Sequence, residues 1–170
     1  MKKWFNTNYH YMVPEIDDNT VLKLSDNKPF ELFTEALVNG VKTTPVIIGP
    51  YTFLELARYI GTKTKENFFG NITDAYIQII GKFVILGAEW LQLDEPCLVK
   101  DMSREDIEFF NSLYTKILEN KNGLKIRLQT YFGDVRDCYK EICALDFDGI
   151  GLDFIEGKKT HELIEKNGFP

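Results

Sequence analysis

At 170 residues the chain can build one core of ordinary size and is too short for two, so residues 1–170 read as a single domain. Its 44% hydrophobic and 27% charged residues are the mix of a soluble globular protein; no apolar run approaches the roughly 20 residues of a membrane span, and Asn6 and Asn8 interrupt any signal-peptide core, which points to the cytoplasm. A formal net charge of −6 without a long basic run argues against a nucleic-acid surface, while a few local lysines would still serve a small anion.

Residues 4–13 alternate at strand period, with Phe5, Thr7, Tyr9, Tyr11 and Val13 on one face and Trp4, Asn6, Asn8, His10 and Met12 on the other. A strand with aromatics outward and a partly polar inner face suits a barrel wall covered by helices. Pro14 ends it, and a polar loop leads to a helix over 29–38 that opens on Pro29 and is closed by Gly40. Residues 45–48 are wholly apolar, as in a parallel strand buried on both faces, and stop at Gly49-Pro50. Helical sequence resumes over 52–60. A longer helix, about 73–86, places Tyr76, Ile79, Ile80, Phe83 and Val84 at helix period before Gly87.

The third strand, 90–94, runs straight into Glu95-Pro96. Ser103 caps the next helix with Asp106 in the capping-box position; Ile107, Phe110, Tyr114, Ile117 and Leu118 form its apolar stripe, and Gly123 ends it. A strand over 124–131, a helix over 135–144, a strand over 149–154 and a helix over 158–166 complete the chain. Regular alternation of strand and helix predicts a parallel sheet with right-handed crossovers. No GxGxxG joins a strand to a helix, which disfavours a dinucleotide fold. A closed eight-stranded barrel takes about 250 residues, so the expected fold is an α/β barrel of the TIM type that is incomplete, with about five of its eight units. Its open edges would be 4–13 and 149–154, of which the first lacks the usual protections of an edge strand, and self-association through the edges or the open lumen is expected.

Ligands of such folds gather at the carboxyl ends of the strands. Here those ends carry Glu15, Gly49-Pro50-Tyr51-Thr52, Asp94-Glu95-Pro96, Thr130-Tyr131 and Asp153. Carboxylates at three of them fit acid–base or metal chemistry, but strand-end acids more commonly cap helices or pair with loop cations. His10 and His161 are the two histidines, too few for a zinc site dominated by imidazole or thiolate. His161 lies among Lys158, Lys159, Glu162 and Glu165, the pattern of a solvated face. Cys97, Cys138 and Cys143 show no CxxC spacing; the latter two are five residues apart on one helix and fall on separate faces, so reduced thiols are expected. Cys97 has no evident partner base, and no GxSxG occurs. No catalytic residue is therefore assigned.

Three stretches carry a resemblance. Lys3-Trp4-Phe5-Asn6-Thr7-Asn8-Tyr9-His10-Tyr11-Met12-Val13-Pro14-Glu15 is similar to a segment in the N-terminal barrel of cobalamin-independent methionine synthases. Gly49-Pro50-Tyr51-Thr52-Phe53-Leu54 and Trp90-Leu91-Gln92-Leu93-Asp94-Glu95-Pro96-Cys97-Leu98 resemble two further motifs of that family in matching order, with Cys97 where alanine is usual. The resemblance implies a part of an N-terminal barrel, its strands three to seven, in an enzyme that moves a methyl group from 5-methyltetrahydropteroyl-triglutamate to homocysteine. It also implies that zinc and homocysteine belong to a separate C-terminal barrel, so no cofactor is expected on this chain alone. The positions corresponding to the zinc ligands of that second barrel are Leu128, Thr130 and Asp153, of which only the last could ligate. Lys3 matches a lysine that contacts the donor's glutamate tail, which makes it the one binding residue the resemblance implies. The rival expectation is a stand-alone α/β module that retains only a small-anion site.

Overall fold

The computed structural model describes residues 1–168. The chain opens on a small antiparallel hairpin, β1 (Lys2–Lys3) with β2 (His10–Tyr11), followed by β3 (Glu15–Asp17), α1 (Lys28–Val38), β4 (Val46–Ile48), α2 (Pro50–Leu56) and β5 (Arg58–Ile60). A 3-10 turn (Lys65–Phe68) leads into α3 (Phe69–Ile85), then β6 (Trp90–Asp94) and a second 3-10 turn (Pro96–Val99). The remainder is α4 (Arg104–Leu118), β7 (Lys125–Gln129), α5 (Tyr139–Ala144), β8 (Gly149–Gly151) and α6 (Thr160–Asn167).

The main sheet has the order β4-β6-β7-β8, all parallel. Its strands alternate at period two. Leu91 and Leu93 of β6 and Ile126 and Leu128 of β7 are fully buried, in one cluster with Ile80 and Phe83 of α3 and Phe110, Leu113, Tyr114 and Ile117 of α4. The opposite face carries half-buried Trp90, Gln92, Asp94, Arg127 and Gln129. Register stacks Gln92 beside Arg127 and Asp94 beside Gln129, which makes that face a polar layer. Lys125 and Arg127 lie over the Trp90 ring at 5.4 and 5.3 Å.

Among the described residues the sheet is open, with β4 and β8 at its edges; no closed barrel forms, and four parallel strands stand where five were expected. The missing one is residues 4–13. Asn6-Thr7-Asn8 forms a turn in which the Thr7 hydroxyl donates to the Trp4 carbonyl at 2.6 Å, Tyr9 N–H donates to Thr7 Oγ1 at 3.1 Å, and Trp4 N–H donates to the Tyr9 carbonyl at 2.8 Å. Short polar side chains satisfying nearby backbone compete with a ladder and here prevail. The alternation in this segment therefore describes a hairpin, with the Trp4 and Tyr11 rings edge-on at 5.5 Å.

Residues 52–60 also divide. The helix ends at Leu56, Ala57 is extended, and β5 pairs in parallel with β3, Ile16 lying opposite Tyr59. That second sheet joins segments 43 residues apart in sequence, and no local pattern announces such a pairing. Helix α3 begins four residues earlier than its apolar period, α5 is shorter than expected, and β8 stops at Gly151, leaving Asp153 in a loop. Strand β6 and helix α4 occur where the sequence places them. Ser103 N–H donates to Asp106 and Asp106 N–H donates to Ser103 Oγ, both at 3.1 Å, so aspartate completes the capping box.

Candidate functional site

The carboxyl end of the main sheet gathers most of the residues singled out above. Glu95, directly after β6, is fully buried. Its carboxylate accepts hydrogen bonds from Tyr51 N–H at 2.9 Å, Thr52 N–H at 2.6 Å and the Tyr114 hydroxyl at 2.6 Å. Those donors lie in the first turn of α2 and on the buried face of α4, so one side chain ties the sheet to both helices. Burial pushes its carboxyl up to about 7 against the lowering effect of these donors. The approach requires Gly49: a Cβ there would lie 2.2 Å from Glu95 Oε1. Shut away from solvent, Glu95 is a structural clasp.

Asp94 points to the polar face, where Gln92 Nε2 donates to it at 2.9 Å and the Tyr131 hydroxyl at 3.3 Å. Asp153 is enclosed by backbone donors: Phe132 N–H at 2.8 Å, Ile155 N–H at 2.8 Å and Glu156 N–H at 2.9 Å. Partial burial raises its carboxyl, but the amides of Glu156, Ile155 and Phe132 outweigh that and hold it below the usual range. Leu128 is buried in the core, and Thr130 donates its hydroxyl to the Gly151 carbonyl at 3.1 Å. Leu128, Thr130 and Asp153 therefore do not fit a zinc site, and no group of three or more His, Cys, Asp or Glu side chains suited to a metal occurs among the described residues.

Other candidates lie apart. Glu15 belongs to the second sheet and pairs with Arg58 at 3.4 Å. His10 is exposed on β2, and His161 is exposed on α6 with its ring 5.0 Å from that of Phe154. Cys97 and Cys138 are buried and Cys143 is half-buried, all free thiols; burial pushes the Cys97 thiol up to about 11, away from nucleophilic thiolate. A cavity of about 150 Å³ lined by Phe33, Leu37, Lys42, Glu89 and Trp90 lies at the opposite, amino end of the sheet, where the exposed Lys42–Glu89 pair is its main charged feature.

Lys3 is exposed on β1, opposite His10. The hairpin that bears it rests on the carboxyl-end rim. Phe5 packs on Phe132 at 5.4 Å, Lys100 Nζ lies 5.4 Å from the Phe5 ring centre, and the Tyr11 hydroxyl donates to the Leu56 carbonyl at 3.4 Å. The structure thus brings Lys3, Asp94, Tyr131 and Lys100 to one end of the sheet. Lys100 escapes a reading of the sequence because its neighbour Phe5 is 95 residues away along the chain. The positive backbone φ of Phe5 (50°) and Phe132 (74°) has no residue signature either, since neither is glycine or asparagine.

These features define an α/β protein with a one-sided parallel sheet whose carboxyl rim is crossed by an aromatic, lysine-bearing hairpin. The family model described as cobalamin-independent synthase, N-terminal domain, matches residues 1–170, and the chain belongs to that family. It is 51% identical over all 170 residues to a 5-methyltetrahydropteroyltriglutamate–homocysteine methyltransferase of Lactococcus lactis subsp. cremoris strain SK11, and 53% identical to that of L. lactis subsp. lactis strain IL1403. A protein of the same name from Streptococcus thermophilus is 49% identical. The chain covers 22–23% of the length of these relatives. The crystal structure of a putative vitamin-B12 independent methionine synthase from Listeria monocytogenes superposes with a TM-score of 0.68 at 17% identity, over 82% of this chain and 48% of the other, a likeness of fold. No helix among the described residues is long and apolar enough to cross a membrane.

Proposed function

We propose that this chain forms part of the N-terminal region of an enzyme that transfers a methyl group from 5-methyltetrahydropteroyltriglutamate to homocysteine. In this reading its four-stranded sheet is a section of a barrel wall that further strands of the polypeptide complete. The section serves architecture and, through Lys3, binds the donor's glutamate tail; zinc and homocysteine are held by sequence outside these residues. A cytoplasmic setting accompanies that role. The observation that carries the reading is the 51% identity, along all 170 residues, to a stretch covering 22% of a methyltransferase, which favours it over a stand-alone anion-binding module. The closed, donor-filled environments of Glu95 and Asp153 agree with a supporting part. An ammonium on a flexible stem matches a mobile, multiply charged tail by charge alone.

The test uses the full polypeptide that contains this chain. Lys3→Ala should weaken the triglutamate donor about three- to fivefold, the scale of one exposed ion pair, and leave a monoglutamate donor within about twofold. Equal losses for both donors in a binding titration would remove Lys3 from the tail site. The 170-residue chain alone should form no methionine from the donor and homocysteine; turnover abolished by a chelator would overturn the assignment of chemistry to the rest of the polypeptide.

A further inference from the structure

Four carboxylates at the carboxyl-end rim are held by donors other than lysine. Asp94 is held by Gln92 and Tyr131, Glu95 by Tyr51, Thr52 and Tyr114, Asp101 by Arg136, and Asp153 by loop amides. Two ammonium groups at the same rim, those of Lys3 and Lys100, have no carboxylate at ion-pair distance among the described residues. Both side chains are exposed, so their charges are open to an anion from solvent.

The two lysines are also linked mechanically. Lys100 closes the 3-10 turn after Glu95-Pro96, its N–H donating to the Cys97 carbonyl at 3.2 Å, and its ammonium lies over the ring of Phe5, two residues beyond Lys3. Phe5 and Phe132 stack at 5.4 Å with ring planes 31° apart, and both have left-handed backbones. Non-glycine residues hold that conformation only where their surroundings over-determine it. The paired rings thus fix the hairpin, and with it Lys3, relative to Lys100.

We propose that Lys100 is a second cation for the donor's glutamate tail, acting with Lys3 on a γ-linked glutamate oligomer. Each γ-linked glutamate adds one carboxylate beyond the two that a monoglutamate carries, so the longer tail can meet both ammonium groups at once. The assignment rests on the tail-binding reading of Lys3 above, and its test separates the two.

Tri-γ-glutamate and a pteroyl monoglutamate serve as probes in calorimetric titrations of the full polypeptide. Lys100→Met keeps the stem over Phe5 and removes the charge; Lys100→Arg keeps the charge. Lys100→Met should weaken tri-γ-glutamate about three- to fivefold at low ionic strength, with a smaller loss in about 0.5 M salt, while the monoglutamate changes by less than about twofold. Lys100→Arg should restore the affinity. Unchanged tri-γ-glutamate binding in Lys100→Met alongside a loss in Lys3→Met overturns the role of Lys100 and leaves Lys3 in place. Equal loss of both probes in Lys100→Met also overturns it, because the residue would then act through the fold. Failure of the unsubstituted polypeptide to bind tri-γ-glutamate overturns the tail site and this assignment together.

Discussion

At Gly49 the decisive property is the absence of a side chain. Its φ of −74° suits any residue, so the constraint is the Glu95 carboxylate pressed against the position where a Cβ would stand. Three donors pin that carboxylate, so it cannot step aside cheaply. Gly49→Ala should cost about 3 kcal/mol, measured as a shift in denaturant midpoint at constant slope, and an unchanged midpoint would show that the clasp yields. Glu95 also sets a pH dependence. Its carboxyl is raised from 4.5 to about 7 in the folded protein, so its contribution to stability is complete below about pH 4.5 and is lost as pH rises through about 7. The full loss is about 3 kcal/mol. The lowered carboxyls of Asp106, Asp134 and Asp153 act in the opposite sense and below about pH 4, outside that window. Glu95→Gln, though less stable, should flatten the decline between pH 4.5 and 7, followed by chemical denaturation across pH; an identical slope would assign the decline to other groups.

Among the elements, α4 shows how local chemistry and packing agree. Ser103 and Asp106 close its first turn reciprocally, and Phe110, Leu113, Tyr114, Ile117 and Leu118 bury the stripe that follows. Ser103→Ala should cost about 1 kcal/mol, read as a lowered melting temperature, while an unchanged value would mean that Asp106 alone secures the helix start. The far side of the same cap is reinforced by Lys65, which pairs with Glu55 of α2 and with Asp106, and lies over the Tyr51 and Phe109 rings. The 3-10 turn before α3 is thereby fastened to two helices. The hairpin is the contrasting element: it is held by Thr7 hydrogen bonds and ring contacts with the rim, with its own two-residue strands adding little ladder.

For the whole molecule the open sheet is the dominant fact. Its edges are β4 and β8: β8 lies in the 149–154 edge read from sequence, and β4 stands where 4–13 was expected. Val46 on β4 is 53% exposed and lines one shallow hollow with exposed Leu32, an apolar border next to unpaired backbone. On its own, the 170-residue chain should associate into dimers or larger species at micromolar concentration, observed by light scattering on a sizing column. A stable monomer of 19.7 kDa would show that these edges need no partner.

The sequence by itself determined the parallel α/β class, the position of β6, the cap and buried stripe of α4, and membership of the family through three motifs. Each of these is encoded in neighbouring residues: a period of two or 3.6, a capping pair, or a contiguous string. Tertiary structure alone decided which carboxylates are accessible. Asp94 and Glu95 are adjacent in sequence, yet strand alternation sends one to the polar face and the other into a socket built from α2 and α4. It also decided the hairpin, where Asn6-Thr7-Asn8 turn chemistry overrode an alternating pattern, and the β3–β5 pairing between distant segments. The meeting of Lys100 with Phe5 belongs to the same class of fact, because it depends on two loops brought to one rim by strands that share a sheet or dock against it.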